Sequence, residues 1–117
     1  MNDNVSVDKS FNFAVRTVNL YKHLTSEKKE YVLSKQILRC GTSIGANISE
    51  AQRAQSKADF IAKMSIALKE ANETCYWLKL LHATDYLNKQ QFDSLSVDIN
   101  EIISILTSIL KTSNSNK

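Results

Sequence analysis

The sequence lacks proline altogether and has only two glycines and two cysteines among its 117 residues. An average chain of this length carries about six prolines and about eight glycines. Tight turns, hairpins and bulges depend on these two residue types, so their shortage excludes an all-β sandwich and a βαβ fold with glycine-rich crossovers. It also excludes collagen-like, proline-rich and glycine/serine-linker chains. With 43% apolar and 23% charged residues, the composition predicts one globular, all-α domain.

Long apolar runs are also missing. No stretch approaches the roughly 18 uninterrupted apolar residues of a membrane span, and no apolar run follows a basic stretch as it does in a signal peptide. We therefore expect a cytoplasmic protein that does not associate with membranes. In that compartment Cys40 and Cys75 should stay reduced and behave as small buried apolar residues, because two cysteines make no disulfide framework.

Apolar residues recur at helical spacing in four segments, which predicts helices at about 9–24, 27–54, 57–83 and 89–111. The polar segments 1–8 and 112–117 are predicted to be disordered tails. Breaks of only a few residues favour antiparallel neighbours, so we predict an up-down-up-down four-helix bundle over residues 9–111. The core-facing stripe expected on the first helix consists of Phe11, Ala14, Val15, Val18 and Tyr21.

Residues with capping side chains precede all four predicted helices, and Thr25-Ser26 is the polar break that could cap the second. Asp8 is expected to cap the first helix. Ser56 followed by Asp59, and Asn88 followed by Gln91, match the spacing in which two residues three apart satisfy each other's free N–H groups. The third and fourth helices are therefore predicted to begin directly after Ser56 and Asn88.

The two glycines, Gly41 and Gly45, are four residues apart inside the second predicted helix. Each costs a helix about 1 kcal/mol relative to alanine. We expect the compensation to be a close approach of a neighbouring backbone at this point.

Positive charge is concentrated in the first three-quarters of the chain. The net charge is +3, but residues 9–79 hold 12 basic and 6 acidic side chains. A cationic stripe opposite the apolar face of the second helix could track the phosphates of a nucleic acid. The alternative is an ordinary solvated face, because +3 is small for a nucleic-acid binder unless an oligomer repeats the stripe. The candidate nucleic-acid-binding residues are Lys28, Lys35, Arg39, Arg53 and Lys57.

A second, polar stripe flanks the apolar face of the same helix. Its members, with two glutamates of the third helix that could join them, are Gln36, Ser43, Asn47, Glu50, Glu70 and Glu73. Nucleophilic catalysis would need a base beside Ser43, but no histidine is near and no strand–turn–helix elbow presents the serine. We therefore predict a structural polar seam without catalytic residues. An enzyme would instead show a cavity around Glu70 with perturbed ionisation.

The histidines and cysteines do not predict a metal site. Neither His23 nor His82 follows an acid by three residues, as the histidines of di-iron bundles do. Cys40, Cys75 and His82 could supply three zinc ligands, but each lies in a helical apolar stripe and none belongs to a close-spaced chelating pair. We expect neither a metal nor another cofactor.

The segment from Cys75 to Leu81 is apolar on almost all sides of the third helix. Such a helix needs more than one neighbour, and in a domain this small the extra neighbour is expected to be another subunit. The candidate oligomer-interface residues are Ile66, Trp77, Leu80 and Leu81. The alternative function is a scaffold that binds a partner protein through this outer helix surface.

One pattern resembles a known family. It consists of Gln36, Arg39, Ser43-Ile44, Asn47-Ile48 and Glu50, then Asp59-Phe60, then Ile66-Ala67 with Glu70 and Glu73. This pattern closely resembles the bacterial 23S rRNA intervening-sequence protein family. Ala51 departs from it, because many members have glycine just after the glutamate, and this difference bears on helix packing.

The resemblance implies a four-helix bundle that assembles into a ring-shaped homopentamer and is encoded within ribosomal RNA genes. The family has no established enzymatic activity. A structurally similar relative, the accessory protein of diversity-generating retroelements, is a basic pentamer that binds nucleic acid and a reverse transcriptase. By this analogy we predict a non-enzymatic, oligomeric RNA- or DNA-binding protein, associated with ribonucleoprotein, whose partners are its own copies and nucleic acid.

Overall fold

The structure, a computed structural model, describes residues 4–115, and this range contains four α-helices and no β-strand. The helices are α1 (Asn4–Ser26), α2 (Leu33–Ala51), α3 (Lys57–Ala83) and α4 (Lys89–Ser115). The all-α, four-helix prediction is confirmed. Within the described residues, no helix combines the length and the apolar character needed to cross a bilayer.

Each helix runs antiparallel to its neighbours. Between α1 and α4, Lys9 pairs with Glu101 while Arg16, further along α1, pairs with Asp98, earlier in α4. The same reversal relates the other neighbouring helices. The bundle, 47 × 22 × 19 Å, therefore has the α1–α2 and α3–α4 loops at one end. The α2–α3 loop and the outer ends of α1 and α4 lie at the other end.

A single apolar core fills the interior between the four helices. The burial of one large aliphatic side chain stabilises a fold by about 1.5–3 kcal/mol, so this core is the main source of stability. Its largest fully buried apolar side chains are Leu24, Ile37, Ile44, Ile48, Met64, Leu78, Leu81, Leu87, Ile99, Ile102 and Leu106.

The capping residues predicted for α3 and α4 lie at the starts of these helices, and the reciprocal pair of hydrogen bonds forms at α4. Ser56 Oγ accepts from the Asp59 N–H at 3.0 Å, while the Asp59 carboxylate accepts from the Gln55 N–H at 3.3 Å. The Gln91 N–H donates to Asn88 Oδ1 at 2.8 Å, and the Asn88 N–H donates to Gln91 Oε1 at 2.9 Å. Free N–H groups of both first turns are thereby satisfied, which is why the two helices begin at Lys57 and Lys89.

At the N-terminal side, residues 4–8 are helical, and the prediction of a disordered tail is wrong for them. Ser6 is buried, so this polar turn belongs to the packed face of α1. Asp8 consequently lies inside the helix, and the prediction that it caps the helix start is wrong. A small serine side chain can be buried at a helix contact where a larger polar one could not.

At the C-terminal side, residues 112–115, also predicted to be disordered, continue α4. Asn114 Nδ2 donates to the Leu110 carbonyl at 2.9 Å, and Ser115 Oγ donates to the Lys111 carbonyl at 2.8 Å. These bonds return to the preceding turn and keep the polar end helical. The remaining parts of both predicted tails, residues 1–3 and 116–117, lie outside the described residues.

The second helix is shorter than predicted, because it begins at Leu33 and ends at Ala51. Lys29 has a left-handed backbone (φ 54°), which ends the helical path from α1. Glu30 then turns inward, and its carboxylate accepts the N–H groups of Val32, Leu33 and Ser34 at 3.1, 2.9 and 2.6 Å. This carboxylate caps α2 in place of Thr25-Ser26, whose hydroxyls donate instead to carbonyls of α1, so the cap predicted there is wrong.

The buried face of α1 also differs from the prediction. Phe11, Val15 and Val18, expected in the core, are 66, 46 and 37% exposed. The face that packs against the bundle instead consists of Ser6, Ser10, Phe13, Thr17, Leu20 and Leu24. The reason lies in α2, whose glycines bring the two backbones so close that only small side chains of α1 fit between them.

Candidate functional site

The predicted cationic stripe is not continuous along one helix. Lys28 lies in the loop before α2, and Lys35 lies in the first turn of α2. Arg53 lies in the α2–α3 loop, and Lys57 is the first residue of α3. Lys35 and Arg53 are separated by about 27 Å at 1.5 Å per residue. The cations therefore form two groups, one at each end of α2, and Arg39 lies between them.

Arg39 belongs to an ion-pair cluster between α2 and α3. Its guanidinium donates to Glu70 Oε1 at 3.1 Å and to Glu73 Oε2. Partial desolvation opposes the charged form, but the hydrogen bond and charge of Glu73, with the charge of Glu70, outweigh it and raise the pKa of Arg39. Trp77 Nε1 donates to the same Glu73 oxygen at 3.3 Å. The charge of Arg39 is thus matched within the protein, which leaves it a poor phosphate ligand.

The predicted polar seam divides into separate groups. Asn47 Nδ2 donates to the carbonyl and to Oγ of Ser43 at 2.9 and 3.1 Å, entirely within α2. Glu50 is mostly exposed and lies 3.7 Å from Lys63. Gln36 is half-buried and lies two turns before Ser43. Glu70 and Glu73 also act between helices, and Arg39, which was assigned to the cationic stripe, is the residue that joins them to α2.

The strongest cationic feature is the α1–α2 loop (residues 27–32) with the first turn of α2. Lys28, Lys29 and Lys35 are exposed and contact no carboxylate of residues 4–115. The same loop exposes Tyr31 and Val32. Sequence reasoning missed Lys29 and Tyr31 because it placed them inside a helix. The signal in the sequence was an aromatic residue, Tyr31, two positions after a pair of lysines in a polar segment.

The predicted oligomer interface on α3 needs one correction. Leu81 has no exposed surface, because it packs into the core of its own bundle and cannot reach a neighbouring subunit. Trp77 and Leu80 are half-buried, and Ile66 is exposed.

A larger unpartnered apolar surface lies on α1. We call it the α1 apolar face, and its residues are Val7, Phe11, Ala14, Val15 and Val18. Together with α2 it forms a groove of about 260 Å³. The groove is completed by small, uncharged residues of α2, namely Thr42, Gly45, Ala46 and Ser49.

A second cleft, also about 260 Å³, lies between α1 and α4 beside the α3–α4 loop. Its lining includes Arg16 and His23. Both terminal nitrogens of Arg16 are already bonded, to Asp98 at 2.6 Å and to the Ser94 carbonyl and hydroxyl. His23 Nε2 is buried without a hydrogen-bond partner. The guanidinium of Arg16 is therefore already occupied by α4 and is not available to a ligand in this cleft.

The residues considered as metal ligands are held in other roles. Within residues 4–115 no three His, Cys, Asp or Glu side chains are grouped to hold a metal ion. His82 Nδ1 lies 3.0 Å from the Leu87 carbonyl, and the ring stacks on Phe92 with centroids 4.6 Å apart. Cys40 and Cys75 are free, and desolvation raises the pKa of both thiols, which keeps them protonated and unreactive.

Comparison with known proteins gives a family and a close structural relative. The sequence profile described as 23S rRNA-intervening sequence protein matches residues 2–108. Among solved structures, the chain is 63% identical to a Bacteroides thetaiotaomicron VPI-5482 protein, with a TM-score of 0.93 over 95% of this chain and 99% of that chain. That 1.70 Å crystal structure is of a protein with unknown function from the S23 ribosomal protein family. None of the curated proteins matches the chain.

Proposed function

We propose, from the premise that the chain belongs to the 23S rRNA-intervening sequence protein family, that it is a cytoplasmic, non-enzymatic homo-oligomer that binds RNA or DNA. In this proposal the phosphates contact the cations at the two ends of α2, and the subunits contact one another through the α1 apolar face. The observation that carries the binding function is the location of the positive charge that remains after ion pairing.

Ion pairing divides the cations into two sets. Those that contact a carboxylate include Lys9, Arg16, Arg39, Lys63 and Lys89. The exposed cations with no such contact in residues 4–115 include Lys28, Lys29, Lys35 and Arg53. A phosphate that approaches the second set displaces only solvent and salt ions, so these residues are the better phosphate ligands.

The α1 apolar face supports the oligomeric part of the proposal. The groove beside it is lined by uncharged residues, which offer nothing to a phosphate backbone. A second subunit that covered the face would remove its apolar surface from water, at about 25 cal/mol for each Å². A ring of five subunits is the assembly that the family resemblance implies, and it completes the proposal.

Nucleic-acid binding is tested by gel shift and fluorescence anisotropy at several salt concentrations. The binding variant carries three charge reversals at exposed, unpaired cations, Lys28→Glu, Lys35→Glu and Arg53→Glu. The control carries the same change in net charge on α3 and α4, at the exposed Lys69→Glu, Lys79→Glu and Lys111→Glu. We expect the first variant alone to lose binding, and wild-type affinity to fall steeply with salt. Absence of salt-sensitive binding to structured RNA, to duplex DNA and to single strands of either would overturn the proposal.

A second candidate function is a scaffold that binds a partner protein, and the α1 apolar face is the observation that favours it. The two functions separate in a pull-down from nuclease-treated lysate combined with light scattering of the purified chain. A stable homo-oligomer that retains no partner after nuclease treatment supports the nucleic-acid function. A monomer that retains a stoichiometric partner supports the scaffold.

A further inference from the structure

The α1–α2 loop combines an exposed aromatic ring with unpaired lysines. We infer that Tyr31 is a stacking platform for an unpaired base, that Lys28, Lys29 and Lys35 hold the phosphates beside that base, and that the preferred ligand is therefore single-stranded nucleic acid. This inference rests on the proposed function and specifies the ligand class for one of the two cationic ends of α2.

The exposure of the loop's apolar groups is the first observation. Tyr31 is 54% exposed and the adjacent Val32 is 69% exposed, although the core lies directly behind the loop. Stacking on a base removes the face of an aromatic ring from water, and it tolerates any sequence because every base has a π face. Tyr31 therefore presents the kind of surface that single-strand-binding proteins use.

The distribution of charge in the loop is the second observation. Of the two acids between α1 and Lys35, Glu30 is buried, and its carboxylate is occupied by backbone N–H groups of α2. Glu27 is the one left on the surface, against the exposed Lys28, Lys29 and Lys35. Because the Glu30 carboxylate faces inward, the lysines outnumber the acids on the surface of the loop. This surface therefore attracts phosphates.

The loop is also held in one conformation. Besides the three bonds to Glu30, the Glu30 N–H donates to the Leu24 carbonyl at 2.9 Å and the Lys28 N–H donates to the His23 carbonyl at 3.3 Å. Ser34 Oγ donates back to the Glu30 carbonyl at 2.9 Å. A loop that is already ordered loses little conformational entropy when a ligand binds, so stacking on Tyr31 contributes more fully to affinity.

These features favour a single strand over a duplex. In a duplex the bases are stacked on one another, and a surface tyrosine reaches only the backbone. In a single strand the bases can be splayed out and stacked on an aromatic side chain while neighbouring phosphates contact lysines. A lysine surface alone would not make this distinction, so Tyr31 is the residue on which the inference depends.

The experiment measures anisotropy of the full chain with an unstructured single-stranded RNA, a single-stranded DNA of the same sequence and a duplex RNA of the same length. The variants are Tyr31→Ala, Tyr31→Phe and, as the matched control, Tyr76→Ala, which removes an exposed tyrosine from α3. Because Tyr31 is outside the core, both Tyr31 variants should keep the wild-type melting temperature. Tyr76→Ala removes an edge-to-face contact with Trp77, so its melting temperature is measured to show that it is folded under the binding conditions.

We expect Tyr31→Ala to weaken single-strand binding about tenfold, whereas Tyr31→Phe and Tyr76→Ala bind as the wild type does. Duplex binding should be unchanged by Tyr31→Ala. Lys28→Ala with Lys29→Ala should reduce the salt slope for the single strand by about 0.7 for each phosphate that is no longer neutralised. The RNA and DNA arms then report which sugar the site prefers.

Two results would overturn the inference, and they differ from a failure of the proposed function. If Tyr31→Ala binds the single strand as tightly as the wild type, or if the wild type binds only duplex, the stacking role is wrong while nucleic-acid binding stands. If the wild type binds none of the three probes, the inference fails, and if it also binds neither structured RNA nor duplex DNA, the proposed function fails with it.

Discussion

Gly41 of α2 lies against Thr17 of α1, so close that a methyl group on Gly41 would be 2.6 Å from Thr17 Cγ2 and 2.7 Å from Oγ1. The Thr17 hydroxyl donates to the Phe13 carbonyl at 2.8 Å, which holds the side chain in this position. At Gly45 the same methyl group would be 3.2 Å from the Ser10 carbonyl oxygen. The predicted close approach of a neighbouring backbone is confirmed at Gly45, whereas at Gly41 the close neighbour is a side chain.

Gly41→Ala should therefore destabilise the bundle by about 1–2 kcal/mol, because overpacking against Thr17 outweighs the roughly 1 kcal/mol that alanine contributes to a helix. Thr17→Ala in the same chain should restore much of the loss. Urea unfolding of the single and double variants measures this coupling. Ala62→Gly, at an exposed position of α3, is the control and should lose only the propensity difference. A Gly41→Ala variant more stable than the wild type would contradict the packing argument.

Glu30 should make the stability of the fold depend on pH. Desolvation raises the pKa of its carboxyl group, but the N–H bonds from Leu33, Ser34 and Val32 outweigh it, and the net pKa is lowered on folding. The stabilisation is complete above the pKa of an unfolded glutamate, about 4.3, and is lost as the pH falls through the lower folded value.

Glu30→Ala should cost about 2 kcal/mol at neutral pH, since it leaves the first turn of α2 without an acceptor. Denaturant unfolding of the two proteins at neutral and acid pH measures the difference. That difference should shrink as the pH falls below about 4. An exposed acid without this role, Glu27→Ala, should show neither effect. A difference that stays constant with pH would mean that the carboxylate charge plays no part.

Phe11→Asp should dissociate the proposed oligomer. A carboxylate in the middle of the α1 apolar face would have to be buried without a partner when the face is covered. Val97→Asp on α4 is the matched control, because Val97 has the same 66% exposure as Phe11. Light scattering should give a smaller mass for the first variant only. Equal masses for both variants and the wild type would show that subunits meet elsewhere.

Arg39 and Lys35 should behave differently towards nucleic acid although both are exposed cations of α2. Lys35→Met should reduce the salt slope of duplex binding by about 0.9, the value for one neutralised phosphate. Arg39→Met should leave the slope unchanged and lower stability by less than about 1 kcal/mol, since its half-exposed ion pairs are screened by solvent. Anisotropy titrations with salt compare the two. A reduced slope for Arg39→Met would return that residue to the phosphate-binding set.

Short sequence patterns predicted the parts of the fold that are determined by residues close together in the sequence. Ser56 with Asp59, and Asn88 with Gln91, placed the starts of α3 and α4 correctly because each cap is complete within four residues. The start of α2 was missed because Lys29 adopts a left-handed backbone that favours glycine, and only the folded loop shows it.

Relationships between helices could not be predicted in the same way. The face of α1 was assigned by hydrophobicity, whereas the observed face is selected by the glycines of α2, which accept only small partners such as Thr17. Arg39 was grouped with Lys35 by periodicity, but the acids that neutralise it are 31 and 34 residues away. Leu81 was assigned to the surface because nothing local distinguishes an outer apolar residue from a core one.

The antiparallel order of the helices has a practical consequence for handling the molecule. The first and last described residues, 4 and 115, lie at the end of the bundle opposite the Tyr31 loop, along the 47 Å axis. An affinity tag or a surface-immobilisation handle attached beyond either of them would leave the loop facing solution. Biosensor experiments on Tyr31 and its neighbouring lysines can therefore use terminal capture, whereas Arg53, in the α2–α3 loop at the captured end, is better measured in solution.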